Sequence, residues 1–286
     1  MDSLKISVII PTYNRVSSIK KTIESVLNQN SEQWELIVID DGSTDETHRT
    51  LAEHKDDERI MYFFQKNAGV SAARNHGAAK ASGRWLVFLD SDDELTQTAL
   101  SVFEEQIQRK PEVDLFVAGR DRKTSTGSEV RIPKEGVYSA MLSGTFCLRS
   151  SIFQKVGGYD PRFRFAENTE LFHRIGQLEI TRCFIPEVSL IYHDSTSGGS
   201  KNTENIINSV SLFLSKHQDS MSYHHRHLYH QIVGVNLLRN RRFEEARKHL
   251  WKAYQLKPTQ LKTFVRLVVS FLPSLAKKIY SNHSAT

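Results

Sequence analysis

Leu86-Val-Phe-Leu-Asp-Ser-Asp-Asp93 is an apolar run that stops on three carboxylates, Asp90, Asp92 and Asp93. A short continuous apolar stretch reads as a strand buried on both faces, the condition of a parallel sheet. Carboxylates at its exposed end suggest a divalent cation. Alternate strand residues share a face, so Asp90 and Asp92 face one ion if the strand continues; a turn after Leu89 divides the work between backbone and side chain. Hard oxygen ligands suit Mg²⁺ or Mn²⁺, and Mg²⁺ binds one or two carboxylates together with substrate phosphates, which makes a diphosphate the implied ligand. A second reading makes Asp90-Ser91-Asp92-Asp93-Glu94 the cap of a following helix, since Asp and Ser are favoured N-caps.

Upstream, Ile6 to Ile10 is a β-branched run closed by Pro11-Thr12-Tyr13-Asn14 and followed by helical spacing through Ile19, Ile23, Val26 and Leu27. The pattern repeats, with Trp34 to Ile39 as strand, Asp40 to Asp45 as loop and a polar helix to about His54. Strands alternating with helices predict an α/β domain with a mostly parallel sheet, whose ligands bind outside the carboxyl ends of the strands. Thr12 and Asn14, Asp40 and Asp41, and Asp90 and Asp92 occupy three such ends, and one crevice collects them.

Four segments then carry a resemblance: Ser7 to Arg15 (SVIIPTYNR), Val38 to Asp45 (VIDDGSTD), Gly69 to Asn75 (GVSAARN) and Phe88 to Asp93 (FLDSDD). In this order and spacing they resemble the signature of family 2 glycosyltransferases, most closely over residues 5 to 95 and more loosely to about residue 200. The resemblance implies the A-type nucleotide-sugar transferase fold, a single Rossmann-like domain using a metal-bound sugar nucleotide and usually inverting the anomeric centre. It places Pro11, Thr12, Tyr13 and Asn14 around the base and ribose, and makes Asp41 an acceptor for the base, by resemblance uracil. Arg74 then faces the phosphates, as a permanently charged guanidinium can. Asp92 becomes the principal metal carboxylate, Asp90 and Ser91 belong to the donor site, and Asp93 supports the site or caps a helix. Each position has a plainer reading as well: Arg74 as a helix-surface charge, Asp41 as a turn former before Gly42.

The chain departs from that pattern at the base. Val156-Gly-Gly-Tyr-Asp160 and the stretch Phe163 to Arg174 resemble the region where the family carries Glu-Asp before a helix, the Asp being the usual base. Here the pair is Glu167-Asn168, and an amide does not accept a proton at neutral pH. Glu167 takes over as base, or Glu170 one turn on does, or the protein binds donor without efficient transfer. Plainer roles are a carboxylate favoured by the helix dipole for Glu167 and an N-cap for Asn168. His193, ending Ile191-Tyr192-His193, is by resemblance a further metal ligand, or else a turn residue beside Asp194. Gly198 and Gly199 supply hinge freedom if the following loop is a lid. Gly144 to Arg149 lies under the acceptor by resemblance, or forms an interior strand, and 120–137 reads as a loop or irregular hairpin.

Composition bounds the rest. The 286 residues carry only two cysteines, Cys147 and Cys183, which form no ligand-spaced pair and suit a reducing cytoplasm. No signal peptide is expected at the start, and Phe264 to Leu275 falls short of the roughly 20 residues a spanning helix needs. Residues 201–286 hold 14 Lys and Arg against 4 Asp and Glu, a net of +10, and the preceding residues carry 24 against 29. Such a tail suits contact with an anionic membrane surface, or is a solvated face. It reads as helical, with breaks near Asp219 and Pro258, and Leu237 to Pro258 resembles one tetratricopeptide unit, too few for an array. Val265 to Leu272 suits an interfacial helix or core packing.

The expectation is a catalytic domain over 1–203 and a helical region over 204–286. Its function is a Mn²⁺- or Mg²⁺-dependent glycosyltransferase moving a sugar from UDP to a glycan or lipid-linked acceptor, in the cytoplasm or at the inner face of the membrane. Its rivals are a donor-binding protein that has lost transfer and a nucleotidyltransferase. The latter normally places a Gly-rich, Lys- or Arg-bearing phosphate loop after the first strand, where this chain has Pro11-Thr12-Tyr13-Asn14. Nucleic-acid binding by the basic tail lacks any recognised motif.

Overall fold

The structure, a computed structural model, describes residues 5–52, 56–124, 126–137, 140–194 and 202–280; Gly198 and Gly199 lie outside them. The described chain falls into two compact units, Met1–Pro161 with Glu167–Thr196, and Arg162–Ala166 with Ser197–Thr286.

The first unit is built on strands β1 (Ile6–Thr12), β2 (Trp34–Asp40), β3 (Ile60–Phe64), β4 (Trp85–Phe88), β5 (Glu94–Leu95), β6 (Leu115–Thr124), β7 (Gly127–Arg131), β8 (Phe146–Arg149) and β9 (Arg182–His193). They form one sheet in the order β3-β2-β1-β4-β8-β6-β9-β5, with β7 paired to β6. The β3-β2-β1-β4 portion is parallel throughout, and β8 joins it antiparallel to β4. In β1, Val8 and Ile10 face one apolar layer with Ile19, Ile23 and Val26 of helix α1 (Ile19–Leu27), while Ile9 faces the opposite layer. Both faces are covered, which is why these strands read as unbroken apolar runs. After the short helix α2 (Thr47–Ala52), Gly77 in helix α3 (Val70–Lys80) lets that helix lie against β1: a Cβ there would meet Ile9 Cγ2 at 2.5 Å.

Beyond Phe88 the chain turns, with the Asp93 amide donating to the Asp90 carbonyl at 3.1 Å, so Asp90 and Asp92 do not continue a strand. The helix-cap reading of 90–94 is overturned: Glu94–Leu95 pairs with β9, and the next helix, Ala99–Arg109, starts after Thr98. Gly144 to Arg149 contributes an interior strand between β4 and β6, and 120–137 contains the β6–β7 hairpin.

The second unit is helical: Thr203–Lys216, Tyr223–Arg239, Phe243–Leu256, Leu261–Ser270 and Pro273–Ile279. Its core gathers Phe163, Phe213, Val233, Leu237, Leu250 and Leu267. The tetratricopeptide-like stretch straddles the turn between the second and third of these helices. Among the described residues, no helix is long and apolar enough to cross a membrane.

Candidate active site

The parallel order brings the ends of β1, β2 and β4 side by side, because Thr12 is in register with Asp40 and Ile9 with Phe88. Pro11 and Thr12 are buried, Tyr13 is exposed, and Asn14 adopts a left-handed φ of 51°. That conformation, which Asn tolerates better than most residues, lets the Asn14 side-chain oxygen accept from the Thr44 amide at 2.8 Å and its own amide donate to Ser43 at 2.9 Å. The loops after β1 and β2 are thereby fastened to each other.

Asp41 is 3% exposed. Its carboxylate accepts from Gln65 Nε2 at 2.7 Å and from the amides of Ala68 at 2.8 Å and Gly69 at 2.7 Å, holding the segment that enters α3. Oδ1 takes the first two of these bonds and Oδ2 the third, so Oδ2 keeps a further lone pair for a ligand. Asp40, fully buried, accepts from the Ser43 amide and the Tyr62 hydroxyl.

Arg74 lies one turn before Gly77 on the face of α3 that presses on the sheet, and at 1% exposed it is no surface charge. One guanidinium nitrogen donates to Glu167 Oε1 at 2.9 Å; another donates to Asp90 Oδ1 at 2.5 Å and Ser143 Oγ at 3.0 Å. Tyr159 lies under it at 5.1 Å. Burial opposes the cation, but Asp90 foremost among its charged neighbours holds it firmly protonated. Arg74 thus joins the carboxyl end of β4 to the start of helix Glu167–Ile175.

Around the turn after β4 carboxyl groups crowd together. Burial, then Asp90, raises the Asp92 carboxyl, with Arg15 at 3.7 Å as partial offset. Burial and then Asp90 push the Asp93 carboxyl up to about 9. Asp93 Oδ1 accepts the His193 amide at 2.9 Å, so it fastens β9 to this turn instead of capping a helix. Ser91 is buried, and its carbonyl accepts the Ser18 hydroxyl.

Asp92 offers a hard oxygen ligand of the kind Mg²⁺ and Mn²⁺ take, and His193 a borderline nitrogen that suits Mn²⁺ better than Mg²⁺. His193 Nε2 is 2.8 Å from Glu94 Oε1; with that nitrogen donating, Nδ1 carries the lone pair that ligation needs, the usual carboxylate–histidine arrangement. Among the described residues no three His, Cys, Asp or Glu side chains form a metal cage, and an ion shared between one or two carboxylates and donor phosphates does not require one.

At the base position, Glu167 is 17% exposed and engaged through Oε1 with Arg74, which leaves Oε2. Asn168 accepts the Tyr159 hydroxyl at 2.7 Å. Glu170 is fully buried and gripped by Arg174 through both oxygens, which removes it as a base. Sequence reasoning missed Tyr159, Ser143, Arg15 and Glu94. Arg15 and Tyr159 stood in quoted segments and Glu94 at the end of the acidic run, whereas nothing local marks Ser143.

This arrangement has known relatives. A family model described as glycosyl transferase family 2 matches residues 7–183. An uncharacterized glycosyltransferase of Rickettsia bellii is 41% identical over 153 residues, covering 53% of this chain and 20% of that protein. A Campylobacter jejuni protein named GalNAc(5)-diNAcBac-PP-undecaprenol beta-1,3-glucosyltransferase is 45% identical over 100 residues, covering 34% of this chain and 32% of its own. The matched stretches span a third or less of these curated relatives. Among solved structures, S. aureus TarS 1–349 in complex with UDP-GlcNAc superposes with a TM-score of 0.61 at 18% identity, over 93% of this chain and 79% of that one. The ordered motifs, the A-type sheet that places them at one edge, and a family match over more than half the chain agree: this protein belongs to glycosyl transferase family 2.

Proposed function

We propose that the protein transfers a sugar from a nucleoside diphosphate donor, UDP by resemblance, to a hydroxyl of a glycan or lipid-linked acceptor, with inversion and with Mn²⁺ or Mg²⁺. The observation that carries this reading is the junction at the end of β4. Asp90, Ser91 and Asp92 stand beside the Thr12–Asn14 loop, and Arg74 connects Asp90 to Glu167.

In this reading Pro11 to Asn14 and Asp41 bound the nucleoside, Asp90 and Ser91 orient the ribose or sugar, and Asp92 with His193 holds the ion. The ion supplies charge stabilisation at the departing diphosphate. The acceptor oxygen bonds to the anomeric carbon as the carbon–phosphate-oxygen bond breaks, its electron pair leaving with the diphosphate. The acceptor proton passes to Glu167 Oε2, whose partner oxygen Arg74 keeps in place. A second reading, donor binding without transfer, is favoured by the amide at Asn168 and by the Arg74–Glu167 ion pair.

The acceptor class follows the Campylobacter relative, whose name specifies a diphosphate–undecaprenol substrate. A peripheral membrane contact fits the helical unit. Leu261, Phe264, Val265, Val268, Phe271 and Leu272 are exposed, whereas Leu267 and Val269 are buried, and Lys262, Lys277 and Lys278 flank the apolar stripe. The test is calorimetric titration of UDP with and without Mn²⁺, followed by UDP-release assays across common sugar nucleotides. Metal-dependent binding with release supports the transferase. Binding without release that Asn168→Asp restores in the presence of acceptor supports the second reading, and absence of UDP binding overturns both.

A further inference from the structure

The helical unit contains a cleft of about 550 Å³, within the usual range for ligand sites. Arg226 and His230 face it from helix Tyr223–Arg239, and His249 and Lys252 from helix Phe243–Leu256. The first helix of the unit adds Ser211, Leu214 and Ser215, and among the described residues no carboxylate lines the cleft. The Arg226 guanidinium is stacked on Tyr223 at 4.5 Å, and its Nε is buried without a hydrogen-bond partner. Four groups able to carry positive charge therefore converge with no counter-charge on the lining, and one buried donor is unused. Buried polar groups are ordinarily paired.

We propose that this cleft binds a di- or polyphosphate group and takes up one proton with it. The chemistry lies in the histidine pair. His230 Nδ1 and His249 Nδ1 are 3.0 Å apart. With both rings neutral, one Nδ1–H donates to the other Nδ1, and only one ring presents an Nε2–H. A single added proton keeps that shared hydrogen bond and gives both rings an Nε2–H donor. Without an anion the added charge is unfavourable. Burial first, then His249, Lys252, Arg226 and His227, depress His230 to about 4; burial and Lys252 depress His249, with Glu245 alone opposing. A phosphate in the cleft reverses the balance. The inference is independent of the donor site, which lies in the other unit.

The test is histidine imidazole NMR on the full chain, in metal-free buffer at constant ionic strength, with the two signals assigned through His230→Asn and His249→Asn. Sodium sulfate, which does not titrate near neutrality, is the first probe and inorganic pyrophosphate the second. The expected result is saturable movement of both signals toward the protonated form, with sulfate affinity rising up to tenfold per pH unit between about pH 8 and 6.5, the slope of one-proton linkage. Arg226→Gln with Lys252→Gln is expected to weaken binding at least tenfold and leave UDP titration unchanged; Arg226→Lys retains part of it. Signals that do not move, a pH-independent affinity, or an unaffected double variant overturns the proposal. Displacement of bound sulfate then distinguishes the sources, with phosphatidylcholine vesicles carrying or lacking diacylglycerol pyrophosphate compared with soluble pyrophosphate. Displacement at lower concentration by the lipid diphosphate identifies a membrane headgroup, and displacement at lower concentration by soluble pyrophosphate identifies a free phosphorylated molecule, each in support.

Discussion

Arg74 is the residue on which the site depends. Removing it leaves Asp90 and Glu167 facing each other without their shared cation. Breaking a buried pair costs roughly 3–5 kcal/mol, and because Asp90 is open to water Arg74→Ala is expected to lose about 2–3 kcal/mol in urea unfolding. Arg74→Lys keeps the charge but loses the fork that reaches two acceptors at once. Asp92→Ala is expected to abolish the Mn²⁺-dependent part of UDP affinity by calorimetry, and equal affinity removes Asp92 from the metal site. Glu167→Gln is expected to lower turnover by ~10² with UDP affinity intact. The motifs made Arg74, Asp41 and Asp92 legible, because each stands in a short quoted run. The contacts of Arg74 were not: Glu167, named from the sequence only as a base, and Ser143 are 93 and 69 residues away, and only the fold brings them to it.

Among elements, β1, α1 and β2 read almost to the residue, since a doubly covered strand and a helix with one buried stripe leave different apolar periods. Strand β5 did not. Two residues carry no period, and Glu94–Leu95 is a strand only because β9 arrives to pair with it. The packing of α3 on β1 gives a sharp test: Gly77→Ala forces a methyl onto Ile9 and is expected to cost about 1–3 kcal/mol through overpacking. Where β2 begins, Glu35 is buried and accepts hydrogen bonds from Lys5, Ser7, Ser82 and Gly83. Burial alone raises its carboxyl, but these bonds hold it at about 2 against an ordinary 4.5. A depressed folded value stabilises above the unfolded one. That contribution is complete above about pH 4.5 and is lost as pH falls toward 2. Glu35→Gln is expected to flatten this part of the stability–pH curve, measured by urea unfolding at a series of acidic pH values.

At the scale of the molecule, charge and apolar exposure both concentrate in the carboxyl-terminal helices. The sequence revealed the charge by counting, but not which apolar residues stay uncovered: Leu267 turns inward while Phe264, Val268 and Phe271 remain in solvent. Phe264→Ser with Phe271→Ser is expected to abolish flotation with anionic vesicles at a modest cost in unfolding midpoint, because each ring is about half exposed and the rest packs on Tyr254 or under Arg247. Co-flotation equal to that of the unsubstituted protein removes the membrane role. The path of the chain has a further consequence. It enters the helical unit at Arg162–Ala166, returns at Glu167, and leaves again after Thr196. Phe163 is wholly buried there against Phe213, and the Arg164 and Phe165 amides donate to Ser209. Splitting the coding sequence after strand β9 would strand Phe163 on one fragment and its shelter on the other. A truncation after β9 therefore removes the helices and leaves Phe163 uncovered, so the helical unit cannot be cut away without exposing a buried aromatic ring.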